Sequence, residues 1–407
     1  MPNAERFDVA IIGGGVVGCA TAFFAARAGL RCVVLERRPA LATLTTAAST
    51  GAFRLQFDNP EEIALAREGI EWFDRFAERT GLDDGDLDLH HGGYLFCSLT
   101  DALFDRARRL VERQRAWGLE VELLTGDEAR VRWPWLAPEL RGARYRAADG
   151  WLDAKRLAIG YATAAADAAR IPDAAPGGSA DLRPGTTVAG ILTTPDGSSV
   201  AGVRTSDGSV AADAVVVAAG PFSRAVVATA GLEIDLRPTI RQKLVMPELP
   251  AVPRDAPMTI DEETAAHWRP ALAGAFGLHT DARTPPGEPL DPVPIDHRWA
   301  FGLLDPASDH ALARIAPFWG DLWNDGASAF SWFLQAGQYE VTPDRRPYLG
   351  PAGPQGLFLN TGYSGHGIMA GTAGSRLVAD AIAGRPDPAM EAFRADRAPV
   401  PREHDIL

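Results

Sequence analysis

The chain has 407 residues, of which 46% are hydrophobic and 23% charged, the proportions of a globular protein with one or two domains. Its formal net charge of −13 argues against nucleic acid or an anionic membrane as a partner. No apolar run approaches the roughly 18 residues of a membrane span, and no apolar leader precedes residue 7, so the sequence predicts a cytoplasmic protein.

A glycine-rich turn near the start is the first informative element. The run Phe7 to Ile12 predicts a buried strand, and the stretch Val16 to Ala28 predicts a helix. Gly13 and Gly15 lie between this strand and this helix, and Gly18 lies inside the helix. The three glycines have the spacing G-x-G-x-x-G. In such a turn the first glycine allows the tight bend, the second lets the backbone approach a pyrophosphate, and the third lets the helix pack on the strand.

The segment after this helix strengthens the interpretation. A second apolar run, Cys32 to Leu35, ends in Glu36, eighteen residues after Gly18. A carboxylate at this place can accept hydrogen bonds from the ribose hydroxyls of an adenosine. The alternative, a glycine-rich turn in an ordinary α/β core, leaves Glu36 unexplained. The succession of strand, glycines, helix, strand and acid therefore predicts a dinucleotide site.

The middle of the chain alternates predicted helices with short strands. We expect helices over 60–80, 101–117, 126–134 and 153–169, and a meander of strands over 187–192, 199–205 and 214–219. The last of these strands is solidly apolar, and we expect it to join the sheet that begins at residue 7. Residues 236–335, rich in proline and tryptophan, predict a second, mixed sheet.

The three cysteines give no sign of a metal or redox site. Cys19, Cys32 and Cys97 lie in predicted helices or strands, and no pair has C-x-x-C spacing. We therefore expect three buried structural thiols and no bound metal.

A second strand–loop–helix unit lies near the end of the chain. A strand over 356–361 is followed by Gly362, Gly365 and Gly367, and a helix of small residues runs from about Ile368 to Ile382. Glycines let backbone lie against a flat ligand, and a helix N-terminus favours negative charge. By itself the pattern is equally explained by helix capping, but beside a nucleotide site it favours a flavin. The polar tail after Pro386 shows no core pattern.

Four blocks in this order resemble the D-amino-acid oxidase superfamily of FAD enzymes, in the branch of sarcosine oxidase, glycine oxidase and the β subunits of heteromeric amino acid dehydrogenases. The blocks are 8–18 with Glu36-Arg37, 47–54, 215–221, and 339–350 with 362–367. The resemblance implies an α/β (α+β) fold in which a Rossmann-like FAD-binding domain is interleaved with a mixed-sheet substrate domain. The implied FAD-binding domain comprises 1–90, 145–225 and 336–395, and the substrate domain comprises 91–144 and 226–335.

The resemblance also implies an activity. A hydride would pass to flavin N5 from the C–N bond of an amino acid or secondary amine, of the sarcosine, glycine or D-amino-acid kind, giving an imine. The electron acceptor would be oxygen or a carrier. The alternative is a flavoprotein subunit or assembly factor of a hetero-oligomer with little turnover of its own. A flavin hydroxylase or a pyridine-nucleotide reductase is disfavoured, because the chain lacks a late Gly-Asp motif, a second glycine fingerprint and a cysteine pair.

The site residues follow from the motifs and the resemblance. Candidate catalytic residues are Arg54, whose guanidinium would stabilise the reduced ring or bind a carboxylate, with His366, Tyr339, His267 and Arg269. Candidate FAD-binding residues are Gly13, Gly15, Val16, Val17, Gly18, Glu36, Arg37, Thr46, Ala48, Ser49, Thr50, Arg54, Val188, Ala219, Gly220, Gly365, His366, Gly367, Ile368 and Met369.

Departures from the family pattern limit what is carried over. The cysteine that holds flavin covalently in monomeric sarcosine oxidases corresponds to Gly337, and no histidine lies before residue 90, so we expect non-covalent FAD. Positions where relatives place carboxylate-binding or oxygen-activating cations hold Met369, Ala275 and Tyr339. Either another cation acts, Lys243 being a weaker candidate, or the substrate is not a simple amino acid.

Overall fold

The computed structural model describes residues 5–280, 284–325 and 331–402. Residues 1–4, where we expect no apolar leader, lie outside it. The strands are β1 Arg6–Ile12, β2 Arg31–Glu36, β3 Ala52–Phe53, β4 Tyr94–Ser98, β5 Glu122–Thr125, β6 Gly142–Arg146, β7 Gly150–Trp151, β8 Ser179–Pro184, β9 Val188–Thr193, β10 Val200–Thr205, β11 Gly208–Val217, β12 Arg237–Met246, β13 Met258–Asp261, β14 His267–Ala271, β15 Gly274–Leu278, β16 Phe333–Val341, β17 Tyr348–Pro351 and β18 Leu357–Thr361.

Eleven α-helices lie within the described ranges. They are α1 Val16–Arg27, α2 Thr45–Ala48, α3 Pro60–Phe73, α4 Phe76–Thr80, α5 Asp101–Ala116, α6 Gly126–Arg132, α7 Ala154–Ala166, α8 Ser223–Ala228, α9 Arg298–Leu304, α10 Phe318–Asn324 and α11 Gly367–Ile382. In this part of the chain, no helix combines the length and apolar character that crossing a membrane requires.

The first sheet is built around β1. Its main order is β17-β18-β11-β1-β2-β8, with β9 and β10 extending β11 as an antiparallel meander. β1 pairs in parallel with both β2 and β11, so the apolar run near residue 215 does join the first strand, as predicted. Val9 to Ile12 are all buried, because helices α1 and α11 cover one face and a second apolar cluster covers the other.

The second sheet is mixed, as predicted, with the order β16-β12-β15-β14-β13-β4-β6-β5. Only β13 and β4 pair in parallel; every other neighbouring pair in that path is antiparallel. One face carries an apolar core that includes Leu244, Trp268 and Trp319. Because side chains alternate along a strand, Lys243 and Arg269 lie on the opposite face.

A buried hydrogen-bond network fixes the last strand–loop–helix unit against the first. The Asn360 amide nitrogen on β18 donates to Thr21 of α1 at 2.9 Å and to Ser375 of α11 at 3.0 Å. The Tyr363 hydroxyl donates to the Asn360 carbonyl oxygen at 2.5 Å. Since buried polar groups are costly when unpaired, this network holds the two glycine turns in one relative position.

Two expectations from the sequence are corrected. The predicted helix over 60–80 is broken between α3 and α4, where Arg75 has φ −127° and ψ 30°, outside the helical region. The tail after Pro386 does contribute to the core. A short 3-10 helix, Pro388–Phe393, buries Met390 and Phe393, and a Cβ added to Gly350 would lie 2.8 Å from the Met390 sulfur. The three cysteines are buried, as expected.

Candidate active site

The two glycine turns meet at a cavity of about 450 Å³ that lies between the two sheets. Most predicted cofactor-binding residues line it, together with the candidate catalytic residue Tyr339. These are Gly13, Gly15, Val16, Val17, Glu36, Arg37, Thr46, Ala48, Ser49, Thr50, Val188, Ala219, Gly220, Gly365, Gly367 and Ile368. The remaining predicted residues do not line the cavity: Gly18, Arg54, His267, Arg269, His366 and Met369.

The glycines of the first turn serve different purposes. Gly13 has φ +109°, and a Cβ there would lie 2.5 Å from the Ala218 carbonyl oxygen. A Cβ on Gly18 would lie 1.9 Å from the Gly13 carbonyl oxygen, so both residues are required by the fold itself. Gly15 has φ −75°, and a Cβ there would meet only the Thr46 hydroxyl, at 3.4 Å. The missing side chain of Gly15 therefore leaves space in the cavity, not in the protein core.

The Glu36 carboxylate is fixed at the cavity wall by backbone donors. Its Oε2 accepts from the Gly14 N–H at 2.8 Å, and its Oε1 accepts from the Arg38 N–H at 2.8 Å. Each oxygen retains a lone pair for a further donor. Gly14, which the motif does not specify, is a glycine for a local reason, since a Cβ there would lie 2.9 Å from the Cβ of Glu36.

Residues distant in sequence close the wall near Glu36. The Arg37 guanidinium lies 3.8 Å from the centre of the Phe222 ring and pairs with Asp291 at 2.5 Å. Arg38 pairs with the other oxygen of Asp291. Sequence reasoning missed Phe222 and Asp291, because no local spacing links them to the Glu36 strand.

The second glycine loop packs tightly against β16. Gly365 has φ +100°, and a Cβ there would lie 2.5 Å from the Tyr339 ring. Glu340, the next residue of β16, also lines the cavity, and burial raises the pKa of its carboxyl to about 7. Near neutral pH a protonated fraction of Glu340 can therefore donate a hydrogen bond into the cavity. Glu340 is a third residue of this region that sequence reasoning did not single out.

Arg54 and His366 lie next to each other at the N-terminus of α11. Arg54 Nη1 donates to the Gln56 carbonyl at 3.1 Å, and Nη2 lies 3.4 Å from His366 Nε2. Phe57 lies beneath the guanidinium, 4.3 Å from its carbon to the ring centre. Burial lowers the pKa of Arg54 to about 10, so it remains charged at neutral pH.

His366 is held on its other side by a carboxylate. Its Nδ1 lies 3.7 Å from Glu62 Oε1, and Glu62 also pairs with Arg402 of the C-terminal segment. Burial would raise the pKa of Glu62, but the contacts with His366 and Arg402 outweigh it and hold the pKa at about 2. Burial lowers the pKa of His366 to about 4 despite Glu62, so the imidazole is neutral at pH 7.

The side chains of β14 alternate between the two faces of the second sheet. Trp268 enters the core of the second sheet, whereas His267 and Arg269 lie on the other face. Arg269 Nη2 and Nε donate to the Thr50 carbonyl at 2.6 and 3.2 Å. His267 Nδ1 lies 2.7 Å from the Ala265 carbonyl, and burial lowers its pKa to about 4. His267 is therefore also neutral at pH 7.

A sequence model of the DAO family, described as FAD dependent oxidoreductase, matches residues 8–381. The chain belongs to this family. The match confirms the family and the cofactor that the motifs predicted.

Relatives of this DAO-family chain agree with that assignment. It is 27% identical to "Sarcosine dehydrogenase, mitochondrial" of Homo sapiens over 96% of its own length, but spans only 41% of that protein. It is 29% identical to glycine oxidase of Geobacillus kaustophilus, with 93% of each chain covered. The structure of a G. kaustophilus glycine oxidase superposes with a TM-score of 0.80 at 25% identity, covering 97% of this chain and 99% of that one.

The cavity fits the family cofactor. Helices α1 and α11 both begin at its wall, and their N-termini favour anionic groups such as a pyrophosphate. Gly15 leaves room for close approach, and Glu36 offers free lone pairs to ribose hydroxyls. These are the features by which a dinucleotide is recognised.

Proposed function

We propose that this FAD-dependent oxidoreductase oxidises a C–N bond of an amino acid or secondary amine. The observation that carries the proposal is the glycine-lined cavity, in a DAO-family chain whose relatives include glycine oxidase, D-amino acid dehydrogenase and sarcosine dehydrogenase. We propose the two-domain division given above, with the cavity between the domains, and a cytoplasmic location.

FAD, when bound, supplies an acceptor for a hydride from the carbon next to nitrogen. The chain's own residues have three tasks. Gly15, Glu36 and the starts of α1 and α11 would hold the cofactor. Arg54 keeps a positive charge buried near the N-terminus of α11, where it can stabilise developing negative charge. The neutral imidazole of His366 orients that guanidinium and carries no proton for the substrate at pH 7.

The alternative is a flavoprotein subunit or assembly factor with little turnover. Single-turnover reduction of the flavin distinguishes this alternative from an active enzyme. The purified protein is mixed anaerobically with a panel of sarcosine, glycine, D-amino acids, cyclic imino acids and carboxylate-free secondary amines. We expect at least one compound to bleach the flavin absorbance, and admission of air then shows whether oxygen accepts the electrons. A protein that binds FAD but is reduced by none of the panel would contradict the proposal.

We expect the FAD to be held without a covalent bond. Among the described residues that line the cavity there is no cysteine and no histidine, and Gly337 is one of them. Acid or heat precipitation should therefore leave the yellow chromophore in the supernatant, measured by its absorbance and fluorescence. Colour that stays with the protein pellet would show a covalent link.

A further inference from the structure

Lysine is used sparingly in this chain. Of the 40 Lys and Arg residues only two are lysines, Lys155 and Lys243. Lys155 is exposed on α7, whereas Lys243, in the middle of β12, is only 4% exposed. A buried ammonium is costly unless something compensates its charge, so the surroundings of Lys243 call for an explanation.

A second buried cation lies beside it. Arg269 on β14 is 6% exposed, and Phe276 on the intervening strand β15 separates the two groups. The centre of the Phe276 ring is 4.5 Å from Lys243 Nζ and 4.7 Å from Arg269 Cζ. Two buried basic side chains thus contact one aromatic ring.

Neutral groups are the hydrogen-bond acceptors of both cations. Lys243 Nζ donates to the Ser49 carbonyl at 2.6 Å, and Arg269 donates to the carbonyls of Thr50 and Pro270. Within the described ranges, no Asp or Glu oxygen lies within 4.0 Å of either cation. Burial, with the repulsion of Arg269, lowers the pKa of Lys243 to about 7, and burial lowers that of Arg269 to about 9. Carbonyl dipoles leave both charges uncompensated.

This cation pair adjoins the cavity. Ser49 and Thr50, whose carbonyls the pair holds, both line the cavity wall. So do Arg241 and Leu278, which lie two residues from Lys243 on β12 and two from Phe276 on β15. Residues two apart on a strand share a face, so Lys243 and Phe276 lie on the same face of the second sheet as Arg241 and Leu278.

We propose that Lys243 and Arg269 form a carboxylate-binding subsite for the substrate. This inference rests on the proposed function and narrows it to amino acids and N-alkyl amino acids, as against amines that lack a carboxylate. Lys243 has two N–H donors beyond the one given to Ser49, and charge-assisted hydrogen bonds to a carboxylate are the strong kind. The subsite supplies the carboxylate-binding cation that is missing at Met369 and Tyr339.

The first test observes Lys243 directly. In holoenzyme labelled with ¹³C-lysine, only two lysine side chains contribute signals, and Lys155→Arg assigns them. Sodium acetate serves as the probe, with sodium chloride at equal ionic strength as the control. We expect acetate to shift the Lys243 signal saturably and to leave the Lys155 signal in place. Absence of a specific acetate effect at Lys243 would overturn the proposal.

Variants distinguish two roles of Lys243 and Arg269: binding of a carboxylate through their positive charges, and structural support of the Ser49–Thr50 segment through hydrogen bonds. Lys243→Gln and Arg269→Gln each keep an N–H donor for the backbone but remove the positive charge. We expect each to weaken acetate binding at least tenfold, measured by flavin difference absorbance, with Lys155→Gln unchanged. If FAD-loaded Lys243→Gln and Arg269→Gln bind acetate with wild-type affinity, the two side chains only support the Ser49–Thr50 segment and do not form a carboxylate-binding subsite. If these variants do not fold, the wild-type acetate titration still decides.

A substrate pair distinguishes this proposal from the broader one. Sarcosine and dimethylamine differ only by the carboxylate, as do N-methylalanine and N-methylethylamine. We expect anaerobic flavin reduction at least tenfold faster with the amino acid in a pair that reacts. Equal rates within such a pair would overturn the subsite and leave the proposed function standing. No reduction by any amine, with acetate still shifting Lys243, would instead reject the proposed function and retain the subsite.

Discussion

Gly15→Val should give a folded protein that no longer retains FAD. A Cβ at this position would meet only the Thr46 hydroxyl in the protein, at 3.4 Å, and the rest of the side chain would project into the cavity, where we expect the backbone to contact the cofactor pyrophosphate. We expect FAD affinity to fall by more than about 100-fold, or roughly 2.7 kcal/mol, measured by the flavin-to-protein ratio after purification and by fluorescence titration of the apoprotein.

Two other glycines calibrate the Gly15 result. Gly287→Val is the matched control, since nothing lies within 4 Å of a Cβ there and its φ is ordinary; its FAD content should equal that of the wild type. Gly18→Ala should instead destabilise the fold, because its Cβ would lie 1.9 Å from the Gly13 carbonyl oxygen. Stoichiometric FAD in purified Gly15→Val would contradict this cofactor site.

Arg54→Ala should slow anaerobic reduction of the flavin by substrate at least tenfold, about 1.4 kcal/mol of transition-state stabilisation. The guanidinium is buried and hydrogen-bonds to the Gln56 carbonyl, with His366 3.4 Å away at the start of α11. Within the described residues no carboxylate lies at ion-pair distance from it, so no direct ion pair neutralises its charge. Stopped-flow absorbance of the FAD-loaded variant measures the rate.

A control variant at Arg54 distinguishes the effect of the positive charge from that of the planar guanidinium group. Arg54→Lys keeps the positive charge but loses the planar stacking on Phe57. We expect its reduction rate to lie between those of the wild type and Arg54→Ala. Melting temperature and FAD content of both variants show whether the protein is intact. An unchanged rate in intact Arg54→Ala would remove this residue from the mechanism.

Much of the candidate cofactor site was predictable from local patterns. The glycine spacing at 13–18, the acid at Glu36 and the loop at 362–367 each encode their structure within a few residues, through periodicity and turn chemistry. Family resemblance then ordered these blocks and identified FAD. The tail helix at 388–393 escaped because two apolar residues in a polar segment, Met390 and Phe393, give no detectable period.

By itself the sequence therefore determined the strand–turn–helix units, the mixed second sheet and the family of this protein. Only the tertiary structure decided which charges meet. Lys243 reaches Ser49 across 194 residues of chain, Arg269 reaches Thr50 across 219, and Arg54 lies beside His366 across 312. Local spacing carries no information on such pairs. Such pairs form when segments distant in sequence, such as the Ser49–Thr50 loop and the strands β12 and β14, pack together and bury side chains whose partners depend on the three-dimensional arrangement.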